Sequence, residues 1–130
     1  MNLTVTAPAA PSDAFAFAGG RPAMRKYLSW YARHGKTLLV KWKGEPAIFV
    51  AMMRPGWRRI EVCPAFNRMA APAMVPLLRL AHLTFSRMHQ DGYRIEIAIR
   101  HPDAMAIRLA QLAGFSPDRG ERWIWTGGNP

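Results

Sequence analysis

Residues 102–115 read PDAMAIRLAQLAGF, and this stretch decides how the end of the chain folds. Pro102 and Asp103 are typical of a helix start, apolar residues follow at helical spacing, and Gly114 is a helix stop. Just before it, residues 93–100 (YRIEIAIR) alternate between polar and apolar, as in a half-buried strand. A helix therefore follows a strand here, and the short run Trp-Ile-Trp at 123–125 predicts one more strand after the helix.

Upstream of this strand, the pattern predicts a long helix over residues 71–90 with an apolar stripe on one side. Three strand-like runs precede that helix, and turn residues join them into an antiparallel three-strand meander. These runs are Lys36–Trp42, residues 47–53 and residues 57–63, with Arg54-Pro55-Gly56 as the second turn. A meander followed by helix, strand, helix and strand predicts an α/β fold with a mixed sheet covered on both faces.

The N-terminal region differs in composition from the rest of the chain. Residues 1–20 contain no basic residue and are rich in Ala, Pro and Gly, so we expect an extended arm with a possible first strand at Leu3–Thr6. Residues 21–130 are expected to form a single domain that opens with a helix between Pro22 and Gly35. Phe15 and Phe17 are the arm residues that we expect to contact a neighbouring subunit.

Charge and cysteine content narrow the function classes. The chain has 18 Lys and Arg against 8 Asp and Glu, a net charge of +10, which favours contact with polyanions such as DNA. One cysteine, Cys63, excludes an intramolecular disulfide, and no Cys/His spacing indicates a metal site. No signal peptide and no membrane span is expected, so we predict a protein that is not secreted and that stays in a cytoplasm or is built into an assembly there.

The order of these elements, together with residues 102–115, resembles the GNAT superfamily of acetyl-CoA-dependent N-acetyltransferases. The likeness covers residues 36–125. Members of this family typically carry Asn, Ala, Leu-Tyr and Gly-Phe at fixed places along the last helix. The residues at those places here are Asp103, Ala106, Leu109, Ala110, Gly114 and Phe115.

The resemblance also implies a cofactor loop, which in the family reads Arg/Gln-x-x-Gly-x-Gly/Ala and cradles the CoA pyrophosphate with backbone N–H groups. Arg68, Ala71 and Ala73 are the residues at the matching cofactor-binding places. Ala71 replaces the glycine, and Pro72 has no N–H to donate. We therefore expect a degenerate loop, with no cofactor in the main interpretation and acetyl-CoA if the protein is active. Pro76 is expected to disturb the first turns of the following helix.

The catalytic pattern implied by the family is reduced. A tyrosine that serves as general acid in many members matches Ala110, which has no proton to give. Glu61 is placed as the family's general base often is, and Glu96 on the next strand is a second option. Each carboxylate also lies beside arginines in the sequence, so a salt bridge is the competing interpretation of both.

Within the superfamily, the pattern is most similar to the GNAT-like internal virion proteins of short-tailed phages, which share a Gly-x-Pro hairpin turn, here Gly44-Glu45-Pro46. The resemblance implies a catalytically degenerate protein of structure or assembly, with other assembly or virion proteins as partners and non-specific contact with DNA. It also implies a location in the host cytoplasm or in the virion. The alternatives are an active acetyl-CoA-dependent N-acetyltransferase and a basic nucleic-acid-binding module.

Overall fold

The strands and helices observed form a mixed α+β fold, as predicted. The computed structural model describes residues 2–10, 13, 17, 26, 30, 33, 35–67, 70–99 and 104–127. The strands in them are β1 (Leu3–Thr6), β2 (Lys36–Trp42), β3 (Glu45–Gly56), β4 (Arg59–Phe66), β5 (Arg94–Ala98), β6 (Phe115–Arg119) and β7 (Arg122–Trp125), and the helices are α1 (Met74–Gln90) and α2 (Ala104–Leu112). The sheet order is β1-β2-β3-β4-β5-β7-β6. Strands β4 and β5 pair in parallel. The pairs β1–β2, β2–β3, β5–β7 and β6–β7 are antiparallel.

The chain divides into two compact units, and the first contains Met1–Met53 and Cys63–Val75. Its hairpin between β2 and β3 turns at Lys43 and Gly44, which have φ of 51° and 83°. Two successive residues with positive φ form the tight turn that matches the twist of antiparallel strands, and glycine favours the second position. The predicted hairpin is confirmed, with β3 beginning at Glu45.

The described N-terminal residues pack within this first unit. Leu3–Thr6 pairs with β2, and the Ala9 N–H donates to Thr37 Oγ1 at 3.1 Å. Phe17 is only 8% exposed and lies 6.2 Å from the Phe49 ring, between centroids. Its burial arises within its own chain, contrary to the expectation that a neighbouring subunit receives it, because Phe49 and Leu39 offer it an apolar surface. Phe15 lies outside the described residues.

The second unit contains Arg54–Val62 and Pro76–Pro130. An aromatic cluster holds α1 against the end of the chain: the Phe85 ring lies 5.4 Å from Phe115 and 6.5 Å from Trp125. The indole N–H of Trp125 donates to the Ala113 carbonyl at 2.9 Å, and His82 bonds the Leu112 carbonyl at 2.8 Å. These bonds satisfy carbonyls at the C-terminal end of α2, which the helix itself leaves unpaired.

Three details of the sequence prediction differ from the structure. Strand β3 continues through Arg54-Pro55-Gly56 to a turn at Trp57 and Arg58, so this turn was placed three residues too early. Helix α1 begins at Met74 instead of Ala71. Pro76 does not disturb it, because a residue in the first turn has no intrahelical partner for its N–H and therefore loses nothing as proline.

Strand β6 was missed because Pro117 interrupts the pattern. Proline is tolerated there since β6 lies at the edge of the sheet, and the pairing shifts register between Pro117 and Arg119. The predicted first helix, between Pro22 and Gly35, falls mostly outside the described residues. Neither described helix is long and apolar enough to cross a membrane.

Candidate active site

The parallel pair β4–β5 is the centre of the candidate site. The triplet Arg-Ile-Glu occurs in both strands, and the two copies pair residue by residue: Arg59 with Arg94, Ile60 with Ile95, and Glu61 with Glu96. Both isoleucines are buried on one face. Because side chains alternate along a strand, the two arginines and the two glutamates share the opposite face.

The register of this pair ends at Glu61 and Glu96, although both strands continue beyond them. Where two parallel strands continue beyond their last paired residues, their backbone N–H and C=O groups are available to hydrogen-bond to a ligand. The carboxyl ends of parallel strands at a change in strand order are the usual place for a ligand in α/β sheets. In the sheet β5 is followed by β7 instead of β6, so such a change in strand order occurs here.

Glu96 is held by two arginines. Its carboxylate accepts two hydrogen bonds from Arg59, at 3.0 and 2.9 Å, and pairs with Arg94 Nε at 3.0 Å. Arg94 also reaches Asp118 at 2.7 Å, so the charges run Arg59–Glu96–Arg94–Asp118. Identical charges lie directly opposite each other in this register, and the diagonal ion pairs compensate for that repulsion.

The electrostatics of Glu96 exclude it from the role of general base. The Arg59 hydrogen bonds hold the pKa of the Glu96 carboxyl below its ordinary value, with Arg122 and Arg94 adding to the effect against the opposing effect of burial. In the same pair, the pKa of the Arg59 guanidinium is raised, chiefly by its hydrogen bond to Glu96. A group that is 4% exposed, doubly paired and more acidic than usual is a poor proton acceptor near neutral pH. The salt-bridge interpretation is thus confirmed for Glu96.

Glu61 occupies the matching position on β4, half-buried and on the same face as Arg59. Its charge contributes to the raised pKa of Arg59, so the two side chains are near each other. Its position at the last residue of the parallel register places its side chain at the end of the β4–β5 pair. Glu61 as the catalytic base stays a prediction.

The predicted cofactor loop follows β4 in the first unit. The Asn67 side chain anchors its start by donating to the Pro46 carbonyl at 2.6 Å. Ala70, Ala71, Pro72 and Ala73 then form a tight turn in which the Ala73 N–H donates to the Ala70 carbonyl at 3.1 Å.

The turn leads directly into the N-terminus of α1, where the helix dipole favours an anion. The Met74 N–H donates to the Ala71 carbonyl at 3.3 Å, so this amide and that of Ala73 have internal acceptors. Ala71 is exposed and Ala73 is buried. Arg68 lies outside the described residues.

The tail motif lies in α2 and the turn after it. Ala110 is buried in α2. Gly114 has φ of 98° and ends the helix, and Phe115 re-enters the core as the first residue of β6. Asp103 lies outside the described residues. In the described part of the chain, no group of three or more His, Cys, Asp and Glu side chains is placed to hold a metal ion.

Sequence reasoning anticipated a salt bridge at Glu96 but did not identify Arg59 as its partner across the sheet, and it missed the ion pair Arg94–Asp118. The repeated Arg-Ile-Glu triplet was the available signal, because two identical triplets in neighbouring strands place their charges on one face. Local alternation did not reveal that the two triplets pair in register.

Comparison of the fold identifies its class. The structure matches the ribosomal-protein-S18-alanine N-acetyltransferase from Escherichia coli with a TM-score of 0.67 and 15% identity, over 94% of this chain and 90% of that one. It matches a GNAT family acetyltransferase from Elizabethkingia anophelis with acetyl-CoA bound (TM-score 0.66, 16% identity, 91% of this chain and 78% of that one). It also matches a Bacillus subtilis acetyltransferase in complex with CoA (TM-score 0.68, 12% identity, 94% and 95%).

The chain therefore has the fold of the GNAT acetyltransferases. Sequence comparison adds no assignment, since no protein-family model and no curated protein matches the chain. These three structures are of acetyltransferases and give no support to the narrower resemblance to phage virion proteins, which stays a prediction. Identities of this size establish a shared fold, so the chemistry must be argued from the site.

Proposed function

We propose that this protein binds acetyl-CoA and transfers the acetyl group to an amine. The observation that carries the proposal is the β4–β5 pair, whose parallel register ends at Glu61 and Glu96 in a fold shared with an acetyltransferase that holds acetyl-CoA. In the proposed complex, the thioester lies at this end of the pair, beside the Glu61 carboxylate. This interpretation replaces the degenerate virion protein as the main candidate.

The reaction needs one proton acceptor. The amine nitrogen attacks the thioester carbonyl, a C–N bond forms, the C–S bond breaks, and the amine proton passes to Glu61. Water supplies the proton for the departing thiolate, because Ala110 has none to give. We assign the role of base to Glu61, which lies half-buried at the end of the parallel register on β4, where the family resemblance implies that group.

The turn before α1 is expected to hold the pyrophosphate weakly. Pro72 has no backbone N–H to donate, and the N–H groups of Ala73 and Met74 already donate within the turn. The helix dipole of α1 remains favourable to the anion, at about 0.3–1 kcal/mol for an exposed site. We therefore expect a dissociation constant for acetyl-CoA well above the low-micromolar range.

Thermal unfolding with added acetyl-CoA tests the proposal. Ligand at a hundred times its dissociation constant should stabilise the protein by about 2.7 kcal/mol, which raises the unfolding midpoint by roughly 10 °C. The double variant Ala71→Gly/Pro72→Ala should bind more tightly, because it restores an amide donor and removes a Cβ. Pro117→Ala in β6 is the matched control and should leave the affinity unchanged.

Two negative results together would overturn the proposal: no midpoint shift at millimolar acetyl-CoA in either the natural chain or the double variant, and no acetylated product from a mixture of polyamines and peptides. Low-micromolar binding by the natural chain would instead contradict our account of the turn.

A non-catalytic role in assembly is the second candidate, with assembly or virion proteins as the partners. Ala110 has no hydroxyl and Pro72 has no N–H, and both facts favour a non-catalytic role. The sheet edge at β1 is the surface to test, because edge strands pair readily with other chains and Val5 is half-exposed there. Val5→Lys should then abolish self-association or partner binding in light scattering while leaving the unfolding midpoint unchanged. Equal association of the variant and the natural chain would remove this candidate.

A further inference from the structure

Three exposed side chains and one half-buried side chain of the second unit form a surface that the proposed acetyl transfer does not use. They are Arg54 at the end of β3, Trp57 and Arg58 in the turn before β4, and Tyr93 just before β5. We refer to these four residues as the arginine–aromatic surface.

Trp57 is the most exposed large apolar side chain of the described residues, at 86%. Tryptophans near strand ends commonly cap a core, but the Trp57 side chain lies in solvent. Burying a tryptophan is strongly favourable, so one left in water on a tight turn is available to stack against a ligand.

Two guanidinium groups flank the aromatic rings. Arg58 lies 5.2 Å from the Trp57 ring centroid and 5.4 Å from that of Tyr93, and Arg54 lies 5.3 Å from Tyr93. Stacking on a ring fixes the plane of a guanidinium and leaves its N–H groups at the edge available to anions.

Arg58 is further fixed by the neighbouring turn. Its Nη1 donates to the Asp91 carbonyl at 2.7 Å, and its main-chain carbonyl accepts from the Arg94 N–H at 2.8 Å. The guanidinium also lies against Gly92, where an added Cβ would be 3.4 Å from Nη1. Arg58 has φ of 59°, an unusual value for a long side chain, which these contacts maintain. The surface is therefore built before any ligand arrives.

The positive charge of this surface is not neutralised within the described residues. The ion pairs of this region belong to Arg59 and Arg94, and neither Arg54 nor Arg58 has a carboxylate partner in the described part of the chain. Asp91 meets Arg58 through its main-chain carbonyl instead of its side chain. In a chain of net charge +10, the local field attracts a polyanion.

We propose that the arginine–aromatic surface binds single-stranded nucleic acid, with an unpaired base stacked on Trp57 and the adjacent phosphates on Arg54 and Arg58. An exposed ring beside guanidinium groups that have no carboxylate partner among the described residues matches a chain that alternates planar bases with phosphates. A duplex buries its bases and would leave Trp57 unused. An acidic peptide would satisfy the arginines but would need no exposed indole.

This surface is separate from the candidate active site. Arg58 precedes β4, whereas Glu61 lies three residues further along, and at about 3.3 Å per strand residue the two are roughly 10 Å apart. The surface lies at the amino ends of the parallel pair, and the proposed thioester lies where the register ends. Nucleic-acid binding therefore does not depend on acetyl-CoA binding.

Fluorescence anisotropy with labelled oligothymidylate and oligouridylate of about twelve nucleotides tests the proposal at low salt. We expect Trp57→Ala to weaken binding about tenfold and Trp57→Phe to retain most of it. Arg54→Ala should lower the slope of log affinity against log salt by about 0.7. Leu83→Ala, at a 72% exposed residue of α1, is the apolar control, and Arg79→Ala on the same helix is the charge control.

Three outcomes would overturn the proposal. One is no binding of either oligonucleotide, and another is an equal loss of affinity in Trp57→Ala and Leu83→Ala with both variants folded by circular dichroism. The third is equal binding of a labelled polyglutamate peptide that Trp57→Ala also weakens, which would assign the surface to an acidic protein. Saturating acetyl-CoA should not displace the oligonucleotide, and displacement would show that the two sites are one.

Discussion

Replacing Gly114 by alanine tests the most specific motif of the sequence against the contacts that surround it. Gly114 has φ of 98°, which an L side chain rarely adopts. An added Cβ would lie 2.7 Å from Trp125 Nε1 and 3.0 Å from His82 Cε1. The indole has little room to move, because its N–H already bonds the Ala113 carbonyl at 2.9 Å.

Backbone strain and steric conflict both contribute to the expected loss. Positive φ in a residue with a Cβ costs about 1–2 kcal/mol, and displacing Trp125 adds about 1–3 kcal/mol of overpacking. We therefore expect Gly114→Ala to lower the free energy of unfolding by about 3 kcal/mol. In a chain of this length the midpoint of thermal unfolding should fall by roughly 10 °C.

Two other glycines separate these contributions. Gly44 has φ of 83° and Gly120 has φ of 57°, and an added Cβ at either has no atom within 4 Å. Their alanine variants should lose only the strain, about 1 kcal/mol. Urea and thermal unfolding of the three variants give the comparison. If Gly114→Ala loses no more stability than Gly44→Ala, steric conflict with Trp125 does not add to the loss, and the contact with Trp125 is not the reason for glycine at position 114.

The remaining predictions concern the carboxylates of the candidate active site. Glu96→Gln should lower the free energy of unfolding by about 2 kcal/mol. This loss is smaller than for breaking a fully buried ion pair, because Arg59 and Arg94 are partly exposed. Urea titrations measure the loss, with Glu45→Gln as an exposed control. The pKa of the Glu96 carboxyl is lowered on folding, so its stabilisation is complete above the unfolded value near 4.3 and is lost as the pH falls through the folded value. The stability difference between the natural chain and Glu96→Gln should accordingly be constant at neutral pH and vanish in acid; a difference that persists unchanged in acid would contradict the ion-pair account. Glu61→Gln should reduce acetyl transfer by about a hundredfold, and unchanged turnover would remove Glu61 from the mechanism.

Much of the candidate site was predictable, because its components are local in sequence. The alternation around Glu61 placed it on a strand, and the replacement of the family's tyrosine by Ala110 was visible in the helix motif. The choice between Glu61 and Glu96 was not predictable. It depends on which arginine each carboxylate meets across the sheet, and Arg59 and Glu96 are 37 residues apart.

The sequence by itself determined the elements whose periodicity is local: the hairpin at Gly44, the long helix α1, strand β5, and α2 with its glycine stop. Only the tertiary structure decided how they pair. The two Arg-Ile-Glu triplets meet in parallel register, Pro117 is accepted in a strand because that strand is an edge, and Phe17 is buried because Phe49 lies beside it. Side-chain alternation indicates which residues share a face of one strand. It does not indicate which other strand pairs with that strand, or in which register. Hydrogen bonds and burial between distant segments supply that information only when the whole chain folds.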